Sequence, residues 1–536
     1  MFSGLVRGTI HQLKLRNFSF RYGKDTKFKG RINLNGLPNT EETFIDLIVD
    51  EMNTSAADIA TIPLPPFDSI HLTSVPEEIK RLGNISFNGK FTGFYNDFVA
   101  YGNINTGLGY AATDINLKFD NTPVYSGKLN NFQLGKFVNS PELGILSMNA
   151  AVNGTHFNLN KLNATVKGNI GRLDFRNYSY SNMEISANLS RKLFNGSLNV
   201  NDDNIDLDFS GSIDFTDKIP VMDFSADLNR ANLSALNLLK SDSVSWLAFH
   251  TDIDLTGKNI DDITGRILIR DIAYSEGSRK GEMKHILMKS EMKNDNRQIQ
   301  LNSEGADASI SGNFEFASLI PAFQNMLQLH FPVSVMKTTT ALQPQNITYS
   351  VTLKNIQPVL DVFFPELKIA EGTTLTGTFV SPSDAFTVRL VSPKIIWNKM
   401  VFNRIAFTGI TENERFAFHY QASEASVRDS LLFKNFKLDG YSSFDKAAFR
   451  LQTNGRDSLN DNLDLNGQML FSEEGKTILE LGQTSLTIEK MKWQIEPGNQ
   501  VRIDTTGTVF SNLKLRSGNR QLAVDGYAGP DPDKNL

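Results

Sequence analysis

The chain has 536 residues, 54 basic against 59 acidic, a net charge of −5 and no cysteine. That balance leaves no electrostatic footprint for nucleic acid, and the lack of thiols excludes disulfides, thiolate metal sites and cysteine nucleophiles. Mean hydropathy is −0.26, and no apolar run reaches the ~18 residues of a membrane helix.

Strand-like sequence begins almost at once, after a start (residues 1–8) without the apolar stretch of a signal peptide. GTIHQLKLRNFSF, residues 8–20, has a near-copy in GNIGRLDFRNYSY, residues 168–180, and weaker ones in GRILIRDIAY, residues 265–274, and in the LKLR of residues 513–516. A second motif, Phe28-x-Gly30-x-Ile32-x-Leu34, recurs as Phe209-x-Gly211-x-Ile213-x-Phe215, Ile310-x-Gly312-x-Phe314-x-Phe316 and Leu465-x-Gly467-x-Met469-x-Phe471. A third, TGFYNDFVAYGNI at 92–104, returns as TGKNIDDITGRI at 256–267. Asn35-Gly36, Asn153-Gly154 and Asn195-Gly196 predict hairpin turns. SVPEEIKRLG, 74–83, predicts a short capped helix, and 232–240 and 320–331 predict short apolar helices or loops. DNIDLDFSGSIDF, 203–215, is the clearest strand: Ile205, Leu207, Phe209, Gly211, Ile213 and Phe215 share one face, and polar residues share the other. Residues 394–409 and 477–495 are looser versions of it.

These repeats divide the chain into approximate units 1–90, 91–220, 221–330, 331–475 and 476–536 of one continuous architecture. The predicted fold class is all-β, an elongated antiparallel β-meander with a few short helices. A sheet with one apolar face must bury it. An outer-membrane barrel needs interfacial Trp and Tyr, and 38 Phe against 3 Trp and 12 Tyr argue against one. Serial sandwiches need linkers, and none is visible. A closed core and an open groove remain equally compatible with the residues. On the order of 30 strands spaced ~4.8 Å apart would make a sheet roughly 140 Å long. The repeated glycines fit a closed core or a groove, since a glycine on the apolar face lets a sheet bend sharply or a neighbour approach.

Chemistry is scarce. The seven His lack metal-ligand spacing, and Asp202-Asp203 and Asp261-Asp262 read as solvated hairpin charges rather than acid/base pairs. No P-loop, nucleophile elbow or zinc-protease motif occurs, so neither catalysis nor a cofactor is expected. The basic stretch 278–293 reads as a solvated face before a lipid-headgroup contact. The apolar stripe carries the functional weight. Its candidate lining residues are Phe28, Ile32, Leu34, Ile205, Leu207, Phe209, Ile213, Phe215, Ile310, Phe314, Phe316, Leu465, Met469 and Phe471.

GxIxxLxLRNFSFRYG, FKGxINLNGLPN, ETFIDLIVDE and, most specifically, residues 73–107 and 193–215 resemble the TamB family in its Bacteroidota form, over most of residues 1–320. The resemblance implies an open β-groove, a taco, of the AsmA-like, bridge-like lipid transfer class. It implies a periplasmic body anchored in the inner membrane, phospholipid cargo, and an Omp85-class outer-membrane barrel partner. It favours the groove over the closed core. Neither the anchor helix nor the partner-binding domain is recognisable here, so the chain reads as an internal piece of a longer protein. The alternative within the resemblance is a scaffold that offers sheet edges to nascent outer-membrane strands.

Overall fold

The computed structural model describes residues 2–39, 42–61, 77–94, 97–117, 124–154, 163–190, 192–240, 243–294, 296–330, 343–427, 431–454, 462–471, 476–488, 490–504 and 507–529. Among them are 34 strands and five helices, and the strands form an antiparallel meander as predicted. The chain divides into two units, Met1–Asp254 and Leu255–Leu536.

The first unit opens with β1 (Phe2–Thr9), β2 (Gln12–Tyr22), β3 (Thr26–Asn35) and β4 (Phe44–Ser55), then helices α1 (Ala56–Thr61) and α2 (Glu77–Arg81). It continues with β5 (Asn84–Phe94), β6 (Asp97–Thr106), β7 (Gly109–Leu117), β8 (Val124–Gln133), α3 (Leu134–Val138) and β9 (Leu143–Gly154). Next come β10 (Asn163–Phe175), β11 (Tyr178–Tyr180), β12 (Met183–Ser190), β13 (Leu193–Asn201), β14 (Ile205–Asp214), β15 (Val221–Asn232) and β16 (Ser245–Thr256), the last reaching the boundary.

The second unit runs through β17 (Thr264–Glu276), β18 (Arg279–Lys293), β19 (Asn296–Ser303), β20 (Ala306–Asn313), α4 (Phe316–His330), β21 (Gln345–Leu353), α5 (Gln357–Phe363) and β22 (Leu367–Ile369). Then follow β23 (Thr374–Ser381), β24 (Ala385–Trp397), β25 (Met400–Glu412), β26 (Arg415–Val427), β27 (Leu431–Ser442), β28 (Lys446–Asn454) and β29 (Asn462–Phe471). It ends with β30 (Thr477–Ile488), β31 (Met491–Ile495), β32 (Gln500–Asp504), β33 (Gly507–Ser517) and β34 (Arg520–Ala528).

Several expectations need correcting. Asn195-Gly196 is no turn: it lies inside β13, with Gly196 opposite Gly211 of β14. Residues 394–409 and 477–495 are each a hairpin rather than one strand. Of the two stretches expected as short helices or loops, 233–239 forms turns after β15, and the second is helical from Phe316, four residues before the expected start. Of the helix expected at 74–83, Glu77–Arg81 is helical, and its start lies outside the described residues.

The two best copies of the opening motif fold differently. In GNIGRLDFRNYSY, Arg176 and Asn177 (φ 48° and 62°) make a two-residue reversal between β10 and β11. In GTIHQLKLRNFSF, Asn17 (φ 50°) is a bulge inside β2, and the register shifts between Leu15 and Phe18. The same left-handed bulge recurs at Asn131, Asn435 and Asn512. A bulge adds one residue to the strand. It therefore puts Leu15 and Phe18, an odd and an even position, on the same face. Period two alone would have sent one of them to solvent.

Candidate functional site

The register carries one apolar face from strand to strand. In the first unit, Leu15, Ile32, Leu47, Phe91, Ala100 and Ile115 are successive partners across β2–β7. Val152, Val166, Ala187, Gly196, Gly211 and Phe224 continue the pattern across β9–β15. In the second unit, Tyr349, Gly377, Val388, Gly409, Phe418, Gly440, Phe449 and Gly467 form such a row across β21–β29.

That second row explains its glycines. A Cβ on Gly467 would meet the Phe449 ring at 2.5 Å, and one on Gly409 would meet the Phe416 ring at 2.3 Å. Tyr349 lies across Gly377, and its hydroxyl donates to the Thr387 carbonyl at 3.1 Å. Glycine here is a flat seat for a neighbouring aromatic ring, which shields a backbone that has no side chain of its own. Of the two roles expected of these glycines, bending the sheet and letting a neighbour approach, the contacts at Gly377, Gly409 and Gly467 show the second.

The candidate lining residues fall into several environments. Phe28 is buried beside the Phe18 and Phe20 rings, while Ile32 and Leu34 are half-buried on β3. Ile205 and Leu207 lie under the β15–β16 connection, in a cluster with Leu228 and the fully buried Leu236. Further along β14, Phe209 is half-buried between Phe194 and Phe224, with ring centroids 5.8 and 5.0 Å away. Ile213 is half-buried, and Phe215, just past the strand, is 48% exposed. Ile310, Phe314 and Phe316 belong to a cluster built by α4, in which Phe314 is 4% exposed. Leu465, Met469 and Phe471 are half-buried on β29. The fourteen positions therefore do not converge on one pocket.

Helix α4 is the main cover. Its Ala322 and Met326 pack on Ile347, Phe379, Phe386 and Phe416, and Phe323 meets Phe379 and Phe386 edge-on. Phe379 and Met326 are each 1% exposed. The Asp261 carboxylate caps the helix by accepting from the Phe316 N–H at 2.6 Å. At the opposite end of the same strands lies an open cavity of about 500 Å³. Leu367, Leu390, Ile395, Trp397, Phe402, Ile405, Phe407, Tyr420, Phe436 and Leu438 line it, all aliphatic or aromatic. Burial pushes the Tyr420 hydroxyl up to about 12, so it stays neutral.

The carboxylates hold turns together. Asp202 is buried, not solvated as expected. It accepts from the Ser181 N–H and hydroxyl, from Tyr178 and from the Asn204 N–H. Burial opposes its charge, but these donors outweigh that and hold its pKa below the usual range. Asp262 accepts from the Lys258 and Asn259 N–H groups. Asp58 accepts from the Lys24, Asp25 and Thr26 N–H groups. Among the described residues, no three His, Asp or Glu are grouped to hold a metal. The basic stretch forms strand β18, with Lys284 3.5 Å from Glu304. No described helix is long and apolar enough to cross a membrane.

No family model matches this chain, and neither a curated protein nor a solved structure is significantly similar to it.

Proposed function

We propose that the uncovered parts of the apolar face carry phospholipid acyl chains, in the manner of a TamB-like groove protein of the periplasm. The observation that supports this reading is the open 500 Å³ cavity on β22–β27, walled only by aliphatic and aromatic side chains. Each CH₂ moved from water into such a site gains about 0.8 kcal/mol. A register that keeps apolar residues opposite one another across successive strands offers tails similar seats along the face, so a chain can shift with little cost. Inner-membrane anchoring and an Omp85-class barrel partner are parts of this proposal. The role is non-enzymatic.

The test is mass spectrometry of an organic extract from protein purified without detergent. The reading predicts phospholipid bound to the native chain and reduced in Phe209→Asp and Phe402→Asp, both of which remain folded. No lipid from a well-folded sample would overturn it. A scaffold role by β-augmentation has one observation in its favour. All of β1 is exposed, including Phe2 at 76% and Val6 at 65%, and among the described residues it pairs with β2 alone. A long edge of this kind is a template for another strand.

A further inference from the structure

The apolar cavity on β22–β27 opens beside a cluster of exposed aromatic rings. Trp397, at the tip of the β24–β25 hairpin, lines the cavity and is still 58% exposed. Its register partner is Leu367, another lining residue. The Leu367 N–H donates to the Phe364 carbonyl at 2.9 Å, which places Phe364 at the same rim. Phe363 and Phe364 are 55% and 62% exposed. The Phe363 ring stacks on Tyr274 of β17, with centroids 5.5 Å apart.

These rings are held out by the fold. Helix α5 buries Leu360 and Val362 against the sheet. Arg279 of β18 donates to the Val362 carbonyl at 3.0 Å. Gly281 lies directly beneath Val362, where a Cβ would meet its side chain at 2.8 Å. Pro365 then takes Phe364 out of the helix, to φ −140° and ψ 63°. With Val362 fixed inward, the two phenylalanines are left outside. A single exposed apolar side chain is ordinary, but a contiguous group of large ones marks an interaction surface.

The ionic side chains around the rim are of mixed sign. Arg279, Lys280, Lys368 and Lys399 are exposed there, against the exposed Asp361 and Glu366 and the half-buried Glu276. Arg428 and Asp429, between β26 and β27 in the sequence, add one charge of each sign. Cations therefore lead slightly at this rim, in a chain whose net charge is −5. Amphipathic rings settle at the head-group level of a bilayer, and long Lys and Arg stems lie beside them with their charges on phosphate. Rings at the ends of separate elements can each sink into lipid, whereas a flat protein face would leave gaps between them. We propose that this rim inserts into the surface of a phospholipid bilayer and is the entrance by which acyl chains reach the cavity. The entry step rests on the acyl-chain reading, whereas the bilayer contact is measured by itself.

The test is flotation of the full chain with phosphatidylcholine vesicles. The proposal predicts that the native chain floats at low and at high salt, because rings rather than charges anchor it. Each inserted ring contributes a factor of roughly ten or more to partitioning. The double variant Phe363→Ser/Phe364→Ser, checked for an unchanged melt, should therefore stay at the bottom, and Phe364→Ser alone should float less. Phe444→Ser, at a ring that is 56% exposed elsewhere in the same unit, should float like the native chain. A native chain that does not float, or a folded double variant that floats equally well, overturns the proposal. So does self-association through these rings, seen as a concentration-dependent mass that the double variant loses, without flotation. Lipid carried by the chain before vesicles are added tests the acyl-chain reading separately. A chain that carries lipid but does not float contradicts only the bilayer contact, and one that floats but carries none contradicts only that reading.

Discussion

Strands β24, β25 and β26 keep an apolar face from one end to the other, but their two ends sit in different surroundings. At one end Phe386 and Phe416 lie beneath α4, each under 9% exposed. At the other, Ile395, Phe402 and Tyr420 line an open cavity, and Trp397 is 58% exposed. The alternation that makes a strand does not decide whether its apolar face is core or lining. A cover decides that, and here the cover is a separate 15-residue helix. The first unit repeats the contrast on β14, where Leu207 lies under the Leu236 loop and Phe209 belongs to a half-buried aromatic ladder.

The largest way to break this comparison is a charge under the cover. Phe379→Asp should cost about 4 kcal/mol or more and abolish cooperative unfolding of the second unit in a circular-dichroism melt. If that chain melts like the native one, α4 does not bury its face. On β29, away from both ends, Gly467→Val should cost about 1–3 kcal/mol, because its Cβ must displace the Phe449 ring. Denaturant titration reads this loss, and no change would mean the ring seat is unimportant. At the open end, Phe402→Asp should cost only about 1 kcal/mol while removing bound lipid.

Acid gives the smallest effect. His330 under the cover has a pKa lowered by burial, so the unfolded chain takes up its proton first. The stability it supports is therefore present above the ordinary histidine range, near pH 6.5, and is lost as pH falls through that range towards the lowered value. Asp384, raised by burial, works in the opposite direction, in the more acidic window above its ordinary value near 3.9. A pH series of melts should show the second unit weakening below about pH 6.5, and His330→Phe should remove that decline. A native chain with flat stability across this range would contradict the placement of His330 as a buried neutral group.

Much of this fold could be read from period two. Ile205 to Asp214 alternates so cleanly that the strand and its two faces follow from it. The bulges were hidden because they break that period: Leu15 and Phe18 share a face only once Asn17 takes φ 50°. The hairpins at Asn398-Lys399 and Asn413-Glu414 were hidden because both residues take positive φ without a glycine to announce it. The glycine seats were hidden because Gly409 and Phe416, or Gly467 and Phe449, meet only across strands. The cover was hidden for the same reason. FASLIPAFQNMLQLH gives away a helix, but not that its Ala322 and Met326 face Phe379.

The most direct test of the central claim places a photo-crosslinking phenylalanine analogue at Phe402 and at Phe209, on the open face, and at Phe379 under α4, in living cells. The account predicts lipid-mass adducts at Phe402 and Phe209 and none at Phe379. Adducts at all three alike, or polypeptide adducts in place of lipid at the open positions, would contradict it.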